Sequence, residues 1–163
     1  MITKRSNVLM IYEEEIQQLV YEWIIIPDWI KAHVSPKSPA HRYEGELILD
    51  SKKIAFSGWD IKVGRDFALE IPLNNIIDVS LSFSKNLRSN TNPAFGIGGP
   101  TPFVVRYQDN DNNRIVYFNT SFNNYVADGD RTNRRWYEEI DEIVTALRRS
   151  NSNHIRNREP VAV

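Results

Sequence analysis

The side chains in this 163-residue chain that could do chemistry are few and scattered. Its three histidines, His33, His41 and His154, form no i, i+4 pair, and the absence of cysteine removes thiolate zinc sites, thiol nucleophiles and disulfides together. Asp109-x-Asp111-x-Asn113 matches the first three ligand positions of a calcium loop. Arg114 stands where the turn glycine belongs and Thr120 where the bidentate glutamate belongs, so a polar hairpin turn is expected there. Gly96-x-Gly98-Gly99 lacks both the Lys-Ser/Thr pair and the following helix of a phosphate cradle. Glu138, Glu139, Asp141 and Glu142 have the spacing of a solvated helix face, where nothing sets one carboxyl apart as an acid and another as a base. Asn119-Thr120-Ser121 is a glycosylation sequon by pattern but reads as strand residues. No nucleophile, base and orienting group fall at a recognisable spacing, so a non-enzymatic chain needing no cofactor and no metal is expected.

The elements that must carry any site are most legible between Glu44 and Ser84. Apolar residues fall on alternate positions in four runs: Leu47 and Leu49; Ile54 and Phe56; Phe67 to Leu73; and Ile77, Val79, Leu81 and Phe83. The short breaks Asp50-Ser51-Lys52, Gly64-Arg65-Asp66 and Asn74-Asn75 return or bend the chain, which predicts an antiparallel meander with one oily face. A second hairpin is expected from Phe103, Val105 and Tyr107 through the Asp109 to Asn113 turn into Arg114 to Asn119. Asp128-Gly129-Asp130 is expected to break the chain, and Thr132 or Asn133 to cap a helix running to about Arg149. Trp136, Ile140, Ile143, Val144 and Leu147 occupy one core-facing stripe of that helix, with Glu138, Asp141, Glu142 and Arg149 opposite.

The N-terminal stretch admits two readings. Ile16, Leu19, Val20, Trp23 and Ile24 follow helical spacing, whereas Val8 to Tyr12 and Trp23 to Ile26 could be buried strands; a helix across the middle is the favoured assignment. Ser35 to Arg42, with two prolines, reads as a linker. The expected division is therefore an arm and linker over 1–42, a domain over 43–149 and a disordered tail over 150–163. Trp23, Ile26, Trp29 and Ile30 form an apolar cluster too large to leave in water, and are the candidate interface to a protein partner or a second copy. With 20 basic and 21 acidic residues and a net charge of −1, no global field draws the chain to nucleic acid. The acidic run Glu13 to Glu15 interrupts any export signal, and no apolar run reaches a membrane span, so a soluble cytoplasmic protein is expected.

The order of parts from Gly45-Glu-Leu-Ile-Leu through Lys53-Ile-Ala-Phe-Ser and Ile71-Pro-Leu-Asn-Asn-Ile to a closing Trp-bearing helix resembles the pleckstrin-homology superfold, in its GRAM and bacterial PH-like branches. The resemblance covers about Glu44 to Arg149. It implies a mainly β fold, a small antiparallel barrel or pair of sheets closed by one C-terminal amphipathic helix. Such a domain has seven strands where six are secure in the sequence; the seventh comes from Ala94 to Ile97, from Thr120 to Tyr125 or from the arm. The resemblance also implies that basic residues beside the first hairpins could hold an anionic lipid headgroup, which singles out Lys52, Lys53, Lys62 and Arg65. Three readings stand: an interaction module docking a protein segment or itself by a sheet edge or the arm, a peripheral membrane adaptor, and an enzyme with an unrecognised site.

Overall fold

The computed structural model describes residues 2–21, 41–84, 100–120 and 126–158. Seven strands, β1 (Ile2–Tyr12), β2 (Tyr43–Asp50), β3 (Lys53–Asp60), β4 (Arg65–Pro72), β5 (Ile76–Leu81), β6 (Phe103–Asp109) and β7 (Asn112–Thr120), form one antiparallel sheet in the order β4-β3-β2-β1-β7-β6-β5. Helix α1 (Glu13–Tyr21) follows β1, and the long helix α2 (Val126–Arg156) closes the fold. The sheet curls into a half-barrel, so that inward residues of both ends, Ile71 of β4 and Val79 of β5, share one apolar cluster with Trp136, Ile140 and Val144 of α2.

The seventh strand comes from the arm. Residues 2–12 are not an appendage before the domain but the centre of its sheet, which corrects the division at residue 42 and decides the open reading of Val8 to Tyr12 in favour of a strand. Five consecutive apolar residues, Val8 to Tyr12, make a poor amphipathic helix and a good doubly buried strand. Val8, Met10 and Tyr12 face the core, while Leu9 and Ile11 are buried on the opposite face, where α1 packs over β1 and β7. The helical spacing does hold from Glu13. Three glutamates occupy the first turn, and Glu15 reaches back to accept the Tyr12 N–H at 3.1 Å, capping the helix as the strand ends.

Three other boundaries move for identifiable reasons. The paired register skips a residue between Ile76 and Asp78, so Ile76 rather than Ile77 enters the core, and β5 stops at Leu81 before Phe83. Helix α2 begins at Val126, running through Gly129 where a break was expected. Asn133 does not cap it: fully buried, it accepts from the Thr120 N–H (2.7 Å) and hydroxyl (2.8 Å) and donates to the Thr101 carbonyl (2.9 Å), fastening α2 to β7 and the entry to β6. At the other end the helix continues to Arg156 through residues expected to be disordered, with Ser152 Oγ donating to the Arg148 carbonyl at 2.9 Å. The candidate strand Ala94 to Ile97, the glycine run 96–99, His33 and the candidate interface residues Trp23, Ile26, Trp29 and Ile30 lie outside the described residues.

Trp136 is the centre of the helix–sheet contact. Its indole is wholly buried, stacks on Phe103 at 5.7 Å with the planes 1° apart, and donates from Nε1 to Ser6 Oγ at 3.0 Å. Replacing Trp136 by Ala is expected to cost about 3–5 kcal/mol, the range for deleting a buried aromatic. Chemical denaturation measures it, and a loss below about 1 kcal/mol would remove Trp136 from the core.

Candidate docking site on the outer edge of the sheet

The four basic residues singled out in the sequence are not brought together. Lys52 lies in the β2–β3 turn and Lys53 at the first residue of β3, their N–H groups both held by Asp50 Oδ1 at 2.7 and 2.8 Å. Lys62 and Arg65 flank the turn at the other end of the same eight-residue strand, roughly 25 Å away. Lys53 is further engaged by Glu70 at 2.6 Å. The group is thus two pairs at opposite ends of the β3–β4 hairpin. Other sequence candidates resolve as structure: Asp109 pairs with Asn112 across a two-residue turn with Asn110 at φ 54°, and Asn119 and Thr120 are buried strand residues.

A different surface emerges between those two ends, on the outward face of β2, β3 and β4. Strand alternation sends Phe56, Gly58, Phe67 and Leu69 inward and leaves Ser57, Trp59, Asp66, Ala68 and Glu70 outward. Glu44, Trp59 and Asp66 form one cross-strand row, and Glu46, Ser57 and Ala68 the next. An open groove of about 570 Å³ lies over this area, with Ser57 and Ala68 among its lining and Trp59 beside Glu44 and Asp66. Trp59 is 45% exposed, although large apolar residues are otherwise mostly buried among the described residues.

The strands beneath are drawn tightly together. Gly45 and Gly58 face each other, and a Cβ on Gly58 would stand 2.1 Å from the Glu44 carbonyl oxygen. Phe67 follows in the same cross-strand row, its ring 4.3 Å from Tyr43 and 6.2 Å from Phe56. Among the described residues no strand pairs with the outer side of β4, so alternate N–H and C=O groups along Arg65–Pro72 point away from the sheet.

The β3–β4 turn is fixed from below by Arg42, which sequence spacing had placed in a linker. Its guanidinium donates twice to Asp60, from Nε at 3.0 Å and Nη2 at 2.9 Å, and from Nη1 to Glu15 at 2.8 Å. The Tyr43 hydroxyl donates to the same Glu15 oxygen at 3.1 Å, and Asp60 Oδ1 accepts the Lys62 N–H at 3.0 Å. Burial works against the charged form of Asp60, but the hydrogen bonds and charge of Arg42, with two backbone N–H groups, outweigh it and hold the carboxyl below its ordinary value. At Glu15 burial prevails over the Tyr12 N–H and Arg42, and the carboxyl is pushed up. The partners lie 18 and 27 residues from Arg42, beyond any local pattern.

No family model and no curated protein matches the chain. Among solved structures it is similar to the hSac2 domain from human phosphoinositide phosphatase Sac2, with a TM-score of 0.51 and 16% sequence identity over 83% of this chain and 84% of that one. At that identity the likeness is one of fold.

Arg42→Met is expected to cost about 3 kcal/mol at neutral pH, because the buried Asp60 and the partly buried Glu15 lose their counter-ion. Asp60, with its lowered pKa, stabilises the wild type above about pH 4 and ceases to as pH falls through its folded value; Glu15, pushed up, contributes in the opposite sense. Without Arg42 both carboxyls favour the protonated form, so the penalty should shrink as pH falls from 7 towards 4. Denaturation midpoints across that range test it, and a pH-independent penalty would refute the ion cluster.

Proposed function

We propose that this chain is a non-enzymatic interaction module of pleckstrin-homology-like architecture that docks an extended segment of a protein partner along the outer edge of β4. The edge of β4, unpaired among the described residues, carries the reading. Phe67 and Leu69 are half-buried on its inner side, Asp66, Ala68 and Glu70 exposed on its outer side, and the groove at Trp59 opens beside it. Backbone groups there would supply affinity, and the alternating side chains would supply selectivity. The buried Asp60 and the partly buried Arg42 and Glu15 are hydrogen-bonded to one another rather than aimed into the groove. Docking of this kind uses no cofactor and suits a cytoplasmic setting. A random dodecamer peptide library selected against the full chain should yield binders that slow amide exchange in Arg65–Pro72. Binders that protect other strands and leave β4 unchanged would refute the edge reading.

A peripheral membrane role is the second reading, favoured by the hairpin tip, where Val63 is 50% exposed between Lys62 and Arg65 and Trp59 lies just below. The neighbour in fold comes from a phosphoinositide phosphatase, which supports testing anionic lipid. No helix among the described residues is long and apolar enough to cross a membrane, so attachment would be by this tip. Each basic residue near an anionic surface contributes about 1 kcal/mol, screened by salt. Two such residues make a weak anchor, and the chain is expected not to sediment with vesicles containing anionic lipid at physiological salt. Sedimentation that requires anionic lipid and is abolished by Lys62→Glu with Arg65→Glu, but not by Lys52→Glu with Lys53→Glu, would install the membrane reading instead.

A further inference from the structure

Resting on the edge reading, we infer that the docked segment alternates apolar and cationic side chains, with one lysine or arginine seated over Trp59 between Glu44 and Asp66. A strand added beside β4 has a fixed alternation of its own. Its inward side chains would meet Phe67 and Leu69, which are only partly covered and already pack against the core. Its outward side chains would stand next to Asp66, Ala68 and Glu70. Ala68 leaves room between two carboxylates, and on the far side of β3 two more, Glu44 and Glu46, face the same surface.

Not all of that charge is available. Glu46 lies 3.5 Å from Arg5, Glu70 is bound by Lys53, and Glu44 Oε1 accepts from the His41 ring at 2.8 Å. Asp66 makes no ion pair among the described residues, and it stands next to Trp59 in the cross-strand row. Neighbouring strands are about 4.8 Å apart, so a lysine or arginine opposite Asp66 has to reach across two strand spacings, about 10 Å, to lie on the Trp59 face. An extended lysine or arginine side chain covers most of that distance, which brings its cation within about 6 Å of the ring. The carboxylate and the aromatic face then act on the same cation.

The same charges disfavour a second copy of this strand as occupant. Paired antiparallel about Ala68, two β4 strands would set Asp66 against Glu70 at both ends of the contact, and like charges directly opposite are destabilising. Lys62 and Arg65 mark where the acidic stretch stops, which confines the cationic positions of the partner to the part facing residues 66–70.

The test titrates the full chain with three blocked synthetic octapeptides, (Val-Lys)4, (Val-Glu)4 and (Ser-Lys)4, following amide exchange in β4 and affinity by calorimetry. (Val-Lys)4 is expected to bind at least tenfold more tightly than either other peptide and to protect Arg65–Pro72. Asp66→Asn combined with Trp59→Leu, both at exposed positions, should abolish the preference for (Val-Lys)4 over (Val-Glu)4. Equal binding of (Val-Lys)4 and (Val-Glu)4 with β4 protected would overturn the cationic preference while leaving the edge reading in place. Equal binding of (Val-Lys)4 and (Ser-Lys)4, a preference that survives the double variant, or a failure of every peptide to protect β4 would overturn the inference, and the last would remove the edge reading with it.

Discussion

Two-sided pairing of β1 is the interaction on which the rest of the structure depends. Its residues from Ile2 to Met10 pair with β2 and those from Val8 to Tyr12 with β7, so only Val8, Leu9 and Met10 are bonded on both sides. Those three residues join a meander of β2, β3 and β4 to a meander of β5, β6 and β7. Among the described residues no ladder joins β4 to β5, which are linked instead by the single turn Leu73–Asn75. The curl therefore hinges on the segment Val8 to Tyr12, buried on both faces, and α2 fills the concavity it creates. The bond from Trp136 to Ser6 ties the helix to that same strand.

Placement of the docking surface follows from this arrangement through Arg42. The chain re-enters the sheet at that residue, whose N–H is held by the Met10 carbonyl at 3.1 Å and whose carbonyl accepts the Ile61 N–H at 3.0 Å. Its side chain then reaches one carboxylate on α1 and another at the end of β3. Desolvating these charges is costly, and the three hydrogen bonds from the guanidinium to the two carboxylates are what offset it. Because Asp60 also holds the amides of the β3–β4 turn, the hairpin that carries Trp59 is set by an ion cluster behind it rather than by the turn sequence alone.

An open edge is a hazard as well as an opportunity, since unpaired backbone groups recruit any extended chain. Here β4 carries Arg65, Asp66 and Glu70 at exposed positions, and Pro72 ends it. These charges discourage self-pairing while leaving the half-buried Phe67 and Leu69 available. The opposite end of the sheet is managed differently: α2 packs along β5, and Arg148 hydrogen-bonds the Ile76 carbonyl at 3.0 Å and that of Ile77. One edge is covered and the other guarded, which is why the candidate site lies on β4.

The meander from Glu44 to Leu81, the hairpin from Phe103 to Thr120 and the apolar stripe centred on Trp136 were legible in the residues themselves, because two- and 3.6-residue periods report directly which face of an element is buried. The class of fold followed from their order. The place of Val8 to Tyr12 was not decided there: five apolar residues in a row carry no period, so only the presence of β2 on one side and β7 on the other makes them a central strand. Arg42, Glu15 and Asp60 gave no local signal because their partnership spans the whole sheet, and Lys52 and Lys62 looked adjacent only until β3 was extended between them. Trp59 belonged to an alternating strand in sequence and became part of a groove in space, since cross-strand register, which no single stretch of chain encodes, is what sets it between Glu44 and Asp66.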